Sequence, residues 1–185
     1  MSSASRTVVV LVGSLRRESI NRRIARLVAE QAADGVDVQI IEGLDSLPFY
    51  NEDLDVEGVR GAGVDALRAR VADADAVLLV TPEYNGGLPA VLKNAIDWLS
   101  RPFGESALSG KQVGVIGSAL GRYAGTWSRQ DARKAVGIAG AVVVEAVEVG
   151  IAAGEVEAGE TGDARLAEQV VGVLDTLMGE LVGAR

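Results

Sequence analysis

Residues 13–21, GSLRRESIN, gather three short hydrogen-bonding side chains (Ser14, Ser19, Asn21) and a cation, Arg16. They follow an apolar run, TVVVLVG at 7–13, and lead into Ile20, Ile24, Leu27 and Val28 at helical spacing. A helix N-terminus offers unpaired N–H groups and the positive end of a dipole, so a loop of this kind is suited to a phosphate. It has neither the lysine of a Walker loop nor the G-x-G-x-x-G of a dinucleotide fold. Ser19 acting as a helix cap would account for that residue. It leaves Ser14 and Arg16 unexplained, and phosphate binding is the favoured reading.

Two further loops have unusual composition. In PEYNGG (82–87), Gly86 and Gly87 allow a tight turn and close approach of backbone to a ligand. The N–H groups from Glu83 to Gly86 could meet the edge of a flat ring. Equally, Glu83 could be a surface acid and Tyr84 a packing residue. In GSALGRYAG (117–125) small residues could let a ring system rest on strand ends, although glycine-rich connections are common.

The chain has no His and no Cys. That removes thiolate nucleophiles, disulfides, and the commonest metal ligand and neutral-pH base. No metal site and no protein general acid or base is expected. A bound cofactor that carries the chemistry is the simplest alternative. The net charge of −8 argues against a nucleic-acid partner. Five arginines against one glutamate in 14–26 still make a local cationic island, in which Arg22, Arg23 and Arg26 read as a solvated helix face.

These loops need elements to hold them. Strand signals fall at 7–13, 36–42, 76–81, 112–117 and 141–149. Helix signals fall at about 19–33, within 58–73, and at 89–99, 127–138 and 164–181, with Pro89 in a first turn. Five strands alternating with five helices imply one α/β domain over 1–185, an open parallel sheet with helices on both faces. Ligands bind such sheets at the carboxyl ends of strands, and the three loops above follow the first, third and fourth. The stretch 145–163 carries six acids and no Lys or Arg, and 150–162 reads as an exposed loop. No apolar run is long enough to span a bilayer, no membrane partner is expected, and a cytoplasmic location is the default.

GSLRRESIN, LPFYNEDLD (47–55) and TPEYNGGLPAVLKNAIDWLSRP (81–102) together resemble the NADPH-dependent FMN reductase family, which includes quinone, azo-dye and chromate reductases. The resemblance runs from about residue 7 to 149. It implies a flavodoxin-like, doubly wound five-stranded sheet of order 2-1-3-4-5, with FMN as cofactor and NADPH or NADH as donor. It implies cofactor binding at Ser14, Arg16, Ser19, Ile20 and Asn21 around the phosphate. Pro82, Glu83, Tyr84, Asn85 and Gly86 would lie along the isoalloxazine, and Ser118 and Gly121 would complete the pocket. A ping-pong reaction with a small acceptor and a homodimer or homotetramer are implied as well. Where many relatives have a denser glycine cluster, this chain has Leu120, Arg122 and Tyr123, whose bulk would narrow the pocket or change the acceptor. Arg122 would meet the phosphate of the nicotinamide nucleotide or lie on the surface. The rival reading is a non-enzymatic carrier of flavodoxin type, disfavoured by only 2 Trp and 3 Tyr to shield a flavin. A third, the same fold without flavin, is disfavoured by the intact first loop.

Overall fold

The computed structural model describes residues 5–155 and 160–183. Strand β1 (Arg6–Val12) is a β-branched run whose last five residues are buried, as expected of a strand covered on both faces. Helix α1 (Ile20–Glu30) follows, then β2 (Val36–Ile41), two single 3-10 turns (Leu44–Ser46 and Glu52–Leu54) and α2 (Ala62–Asp73). Strand β3 (Ala76–Thr81) is buried at every residue. After it come α3 (Ala90–Leu99), β4 (Gln112–Ala119) and α4 (Thr126–Ile138). Short strands β5 (Val142–Val143) and β6 (Gly150–Ala152), a 3-10 turn (Ala153–Glu155), and helices α5 (Glu160–Gln169) and α6 (Val173–Gly183) complete the order.

All strand pairs are parallel, in the order β2-β1-β3-β4-β5, with β6 also on β4. One face is closed by α1, α5 and α6 through Ile24, Val28, Leu166, Val170 and Leu177. The other is closed by α2, α3 and α4 through Leu67, Val71, Leu92, Ile96, Ala132 and Val136. Each fully buried Leu or Ile contributes about 1.5–3 kcal/mol. Among the described residues no helix is long and apolar enough to cross a membrane.

Four expectations are corrected. The fifth strand does not run unbroken over 141–149. A turn at Glu145 and Ala146, closed by the Val147 N–H donating to the Val144 carbonyl at 3.0 Å, separates β5 from β6. Val144 and Val147 both turn inward, which strand alternation over three residues would forbid. Val147 fills the space above Gly114, where a β-carbon would sit 2.7 Å from it. The stretch 150–162 is not a plain exposed loop. Ile151 is buried opposite Ser118 of β4, a helix begins at Glu160, and residues 156–159 lie outside the described residues. Finally, the helix expected over 164–181 is two helices broken before Val173, where Gly172 has φ +75°. The expected apolar stripe still faces one core, because Leu166, Val170, Leu174 and Leu177 pack together across the break. Pro89 is the residue before α3 rather than part of its first turn.

Candidate functional site

The loops after β1, β3 and β4 emerge side by side, because these three strands are neighbours in the sheet. The register holds to their ends: Val80 pairs with both Val12 and Ile116, and Thr81 pairs with Gly117. Gly117 is needed there. A β-carbon on it would fall 2.1 Å from the Thr81 carbonyl oxygen, so the end of β3 leans over β4.

In the first loop Ser14 is buried and Arg16 exposed, with its Nη2 donating to the Glu18 carbonyl at 3.2 Å. Ser19 caps α1, its hydroxyl accepting from the Asn21 N–H at 3.2 Å. The first turn of α1 holds no acidic residue. Among the described residues the Ile20 and Arg22 N–H groups have no backbone acceptor. Ile20 itself is half-buried against the apolar core.

Asn21 does different work from that expected of a phosphate ligand. Its Nδ2 donates to the Ser118 carbonyl at 3.0 Å and its Oδ1 accepts from the Ser118 N–H at 2.9 Å. Both ends of the amide tie the start of α1 to the end of β4. The Ser118 hydroxyl is buried with no partner among the described residues.

The second loop is a two-residue hairpin. Tyr84 and Gly87 exchange backbone hydrogen bonds of 3.3 and 3.1 Å, so the Tyr84 N–H faces inward to the turn and is not available at its edge. Asn85 and Gly86 have φ +52° and +70°, the pair of left-handed residues that a type I′ turn requires. Their side of the loop is exposed, while Pro82 is buried. Glu83 is half-buried, and its Oε2 accepts from the Ser128 N–H at 3.1 Å. Helix α4 has no side-chain cap at Gly125, so Glu83 supplies that helix with an acceptor and a negative charge at its positive end.

In the third loop Gly121 is exposed, with open space where a β-carbon would stand. Ala124 and Gly125, at φ +50° and +75°, turn the chain into α4. All twelve expected residues therefore belong to one end of the sheet. In sequence, Trp127 marks only the start of a helix. It lies beside Tyr123 with ring centroids 4.9 Å apart. The signal that could have found it is the i, i+4 spacing of two aromatics across a helix start.

A family model described as NADPH-dependent FMN reductase matches residues 6–156. The chain belongs to the NADPH-dependent FMN reductase family. It is 36% identical over 176 residues to a quinone reductase of Escherichia coli K12, covering 94% of this chain and 90% of that one. It is 42% identical over 130 residues to a quinone reductase of Pseudomonas putida, covering 70% and 69%. Among solved structures, FerB, a flavoenzyme NAD(P)H:(acceptor) oxidoreductase from Paracoccus denitrificans, matches with a TM-score of 0.79 at 30% identity, over 94% of this chain and 98% of FerB. A flavodoxin from Pseudomonas aeruginosa matches with a TM-score of 0.59 at 21% identity, over 91% and 99%, which speaks for the fold. As an FMN reductase family member the chain is an oxidoreductase enzyme of flavodoxin-like fold, rather than a bare electron carrier.

Two of the motifs that mark this FMN reductase family chain turn out to hold each other. The Pro48 carbonyl accepts from the Trp98 indole N–H at 2.7 Å and from Asn94 Nδ2 at 3.0 Å, and Asn94 Oδ1 accepts from the Tyr50 N–H at 2.8 Å. Tyr50 meets the fully buried Trp98 edge-on, with centroids 5.0 Å apart. Asp55 binds Arg68 through both oxygens at 2.8 Å, and Arg68 Nε donates to the Trp98 carbonyl at 2.9 Å. The hydrogen-bonded Arg68 guanidinium holds the Asp55 carboxyl below its ordinary pKa, against a smaller opposing effect of burial. This strap fixes α3, whose N-terminal end carries the second loop.

The arginine island is less solvated than expected. Arg22 pairs with Glu42 at 3.3 Å and Arg23 Nε donates to Asp163 at 2.7 Å, whereas Arg26 is exposed. These pairings leave Arg16 and Arg17 as the cations of the loop itself.

Proposed function

We propose that the chain binds FMN across the carboxyl ends of β1, β3 and β4 and passes electrons from NADPH or NADH to a small acceptor by a ping-pong route. The observation that carries this reading is the convergence of three ligand-suited loops on adjacent strand ends, cross-tied by Asn21–Ser118 and Glu83–Ser128. The donor set fits the group. An acid-free helix start with two N–H groups unclaimed among the described residues, next to Ser14 and Arg16, suits a phosphate dianion. The exposed tip of the Asn85–Gly86 turn and the small residues at the end of β4 suit a flat ring.

Bound FMN would supply the redox chemistry, hydride and electron transfer between the nicotinamide and the acceptor. The chain's own residues bind and orient. Ser14, Arg16, Ser19 and the Ile20 and Arg22 N–H groups would hold the phosphate. Asn21 acts one step removed, fixing the angle between the helix start and β4. The Asn85 and Gly86 N–H groups would meet the ring edge, with Pro82 and Tyr84 beside them. Glu83 keeps α4 seated against the second loop, and Ser118 and Gly121 form the floor. Quinones, azo compounds, metal oxyanions and free flavins are the acceptor classes of this reading. In it the chain is a single cofactor-binding domain of the cytoplasm and a homodimer or homotetramer, which light scattering on the purified protein would check.

The test is an absorbance spectrum of protein mixed with FMN and freed of unbound flavin, followed by anaerobic NADPH. Retained flavin bands that bleach on NADPH are expected. Bands that persist with both NADPH and NADH would return the chain to the carrier reading. No retained flavin would end the proposal.

A further inference from the structure

The phosphate loop and the hairpin turn leave unused an aromatic group at the same end of the sheet. Tyr123 and Trp127 lie with ring centroids 4.9 Å apart and planes tilted by 53°. About half of each remains open, 49% and 46%, and Leu120 in the same loop is 80% exposed. Paired aromatics are normally drawn into a core, and an open cluster of this kind marks a contact surface. The backbone holds them there, because the left-handed pair Ala124 and Gly125 reverses the chain between the two rings. The cluster adjoins the second loop as well, since a β-carbon on Gly86 would stand 4.0 Å from Trp127 Cε3.

A cation is fixed at the rim. The Arg122 guanidinium carbon is 4.7 Å from the Tyr123 ring centroid, and its Nη2 donates to the phenol oxygen at 2.6 Å. No carboxylate pairs with Arg122 among the described residues. The remaining guanidinium donors thus stand beside a π surface, positioned by stacking and by the phenol.

We propose that Arg122, Tyr123 and Trp127 form an acceptor subsite selective for planar aromatic acceptors that carry an anionic substituent, such as a sulfonated or carboxylated quinone. An electron-poor quinone ring matches the electron-rich faces of phenol and indole. A sulfonate or carboxylate matches the planar fork of Arg122. An uncharged quinone gains only the first of these, and a small metal oxyanion only the second. The placement of the subsite at the flavin rests on the function proposed above; the binding chemistry of the three side chains does not. The anionic group has a second possible source in the 2′-phosphate of NADPH, so the test separates donor from acceptor.

Two measurements decide it. The first uses naphthalene-2-sulfonate, an anion with nothing to reduce, against the neutral naphthalene-2-methanol, each titrated into FMN-treated protein by tryptophan emission. The chain has two tryptophans, and Trp98 is fully buried, so quenching reports Trp127. Tighter binding of the sulfonate by roughly tenfold is expected, lost in Arg122→Gln. Trp127→Phe should abolish the quenching. Equal affinities for the two probes, or quenching that survives Trp127→Phe, would overturn the subsite. The second measurement compares 1,2-naphthoquinone-4-sulfonate with 1,4-naphthoquinone in turnover. Arg122→Gln should raise KM for the sulfonate by roughly tenfold with kcat little changed, and leave the neutral quinone alone. Should KM for NADPH rise instead, with the sulfonated quinone unaffected, Arg122 belongs to the donor and the acceptor assignment fails. Because the probe needs no flavin to bind, a protein that retains no FMN but discriminates the two naphthalenes would sink the proposed function and spare this subsite's chemistry.

Discussion

Arg16 stands exposed over the start of α1, its guanidinium bonded only to the nearby Glu18 carbonyl among the described residues. A cation so loosely held is free to turn onto a bound phosphate. Arg16→Ala should weaken FMN binding by about 1.5–3 kcal/mol, the worth of a charge-assisted hydrogen bond. Titration followed by flavin fluorescence would check this, and an unchanged Kd would remove Arg16 from the site. Gly117 makes a different kind of prediction. With its β-carbon position 2.1 Å from the Thr81 carbonyl, Gly117→Ala must push two strand ends apart. A loss of about 1–3 kcal/mol or more in urea unfolding is expected, as for other overpacked sites. A variant as stable as the parent would mean that the strand ends yield freely. The three loops were legible before the fold was, because each follows an apolar run and departs from plain turn composition, and the sheet brings them to one end. The use of Asn21 was not legible. Its partner Ser118 lies 97 residues away, and no local pattern announces a bond of that span.

Helix α4 shows how an element can depend on a distant residue. Its own N-terminal position, Gly125, offers no side-chain acceptor, and Glu83 provides one from the second loop, 45 residues earlier. Glu83→Ala should cost about 0.5–2 kcal/mol, the usual worth of a lost cap. It should also weaken FMN binding, because α4 and the hairpin lose their tie. Glu83→Gln keeps the acceptor without the charge and should fall between. If Glu83→Ala matched the parent in both thermal midpoint and flavin affinity, the capping contact would be idle. Strands β1, β3 and β4 were readable because each is an apolar run bounded by turn residues. The fifth was not, since its valines look like a strand in sequence while Val144 and Val147 face the same core. Helical periodicity likewise runs on from α5 into α6. The apolar stripe continues across Gly172, and only the backbone angle there reveals the break.

At the scale of the molecule, the strap from Pro48 to Asp55 joins α2 and α3 through Arg68 and Trp98. Asp55 has its pKa lowered in the folded state, chiefly by the Arg68 hydrogen bonds, so it stabilises the fold above its unfolded pKa. That stability is lost as pH falls through the folded value. Thermal midpoints measured from neutral pH downward should drop more steeply in the parent than in Asp55→Asn, which should already be the weaker protein at neutral pH. Parallel curves would show that Asp55 takes no part in acid unfolding. The overall architecture was legible because alternating strands and helices leave few arrangements, and the motifs then supplied the strand order. The mutual bracing of those motifs was hidden in the sequence, since 47–55 and 94–98 advertise themselves as signatures and not as partners.

The Asn21–Ser118 tie also sets an order of events. The start of α1 is made by residues near the beginning of the chain, yet it is tied by side-chain hydrogen bonds to Ser118 near the end of strand β4. A growing chain can complete β1, α1, β2 and β3 and still have nothing to hold Asn21. On the proposed function, a cofactor site that includes Ser118 and Gly121 is complete only once β4 has docked, a long-range contact that the chain must close late.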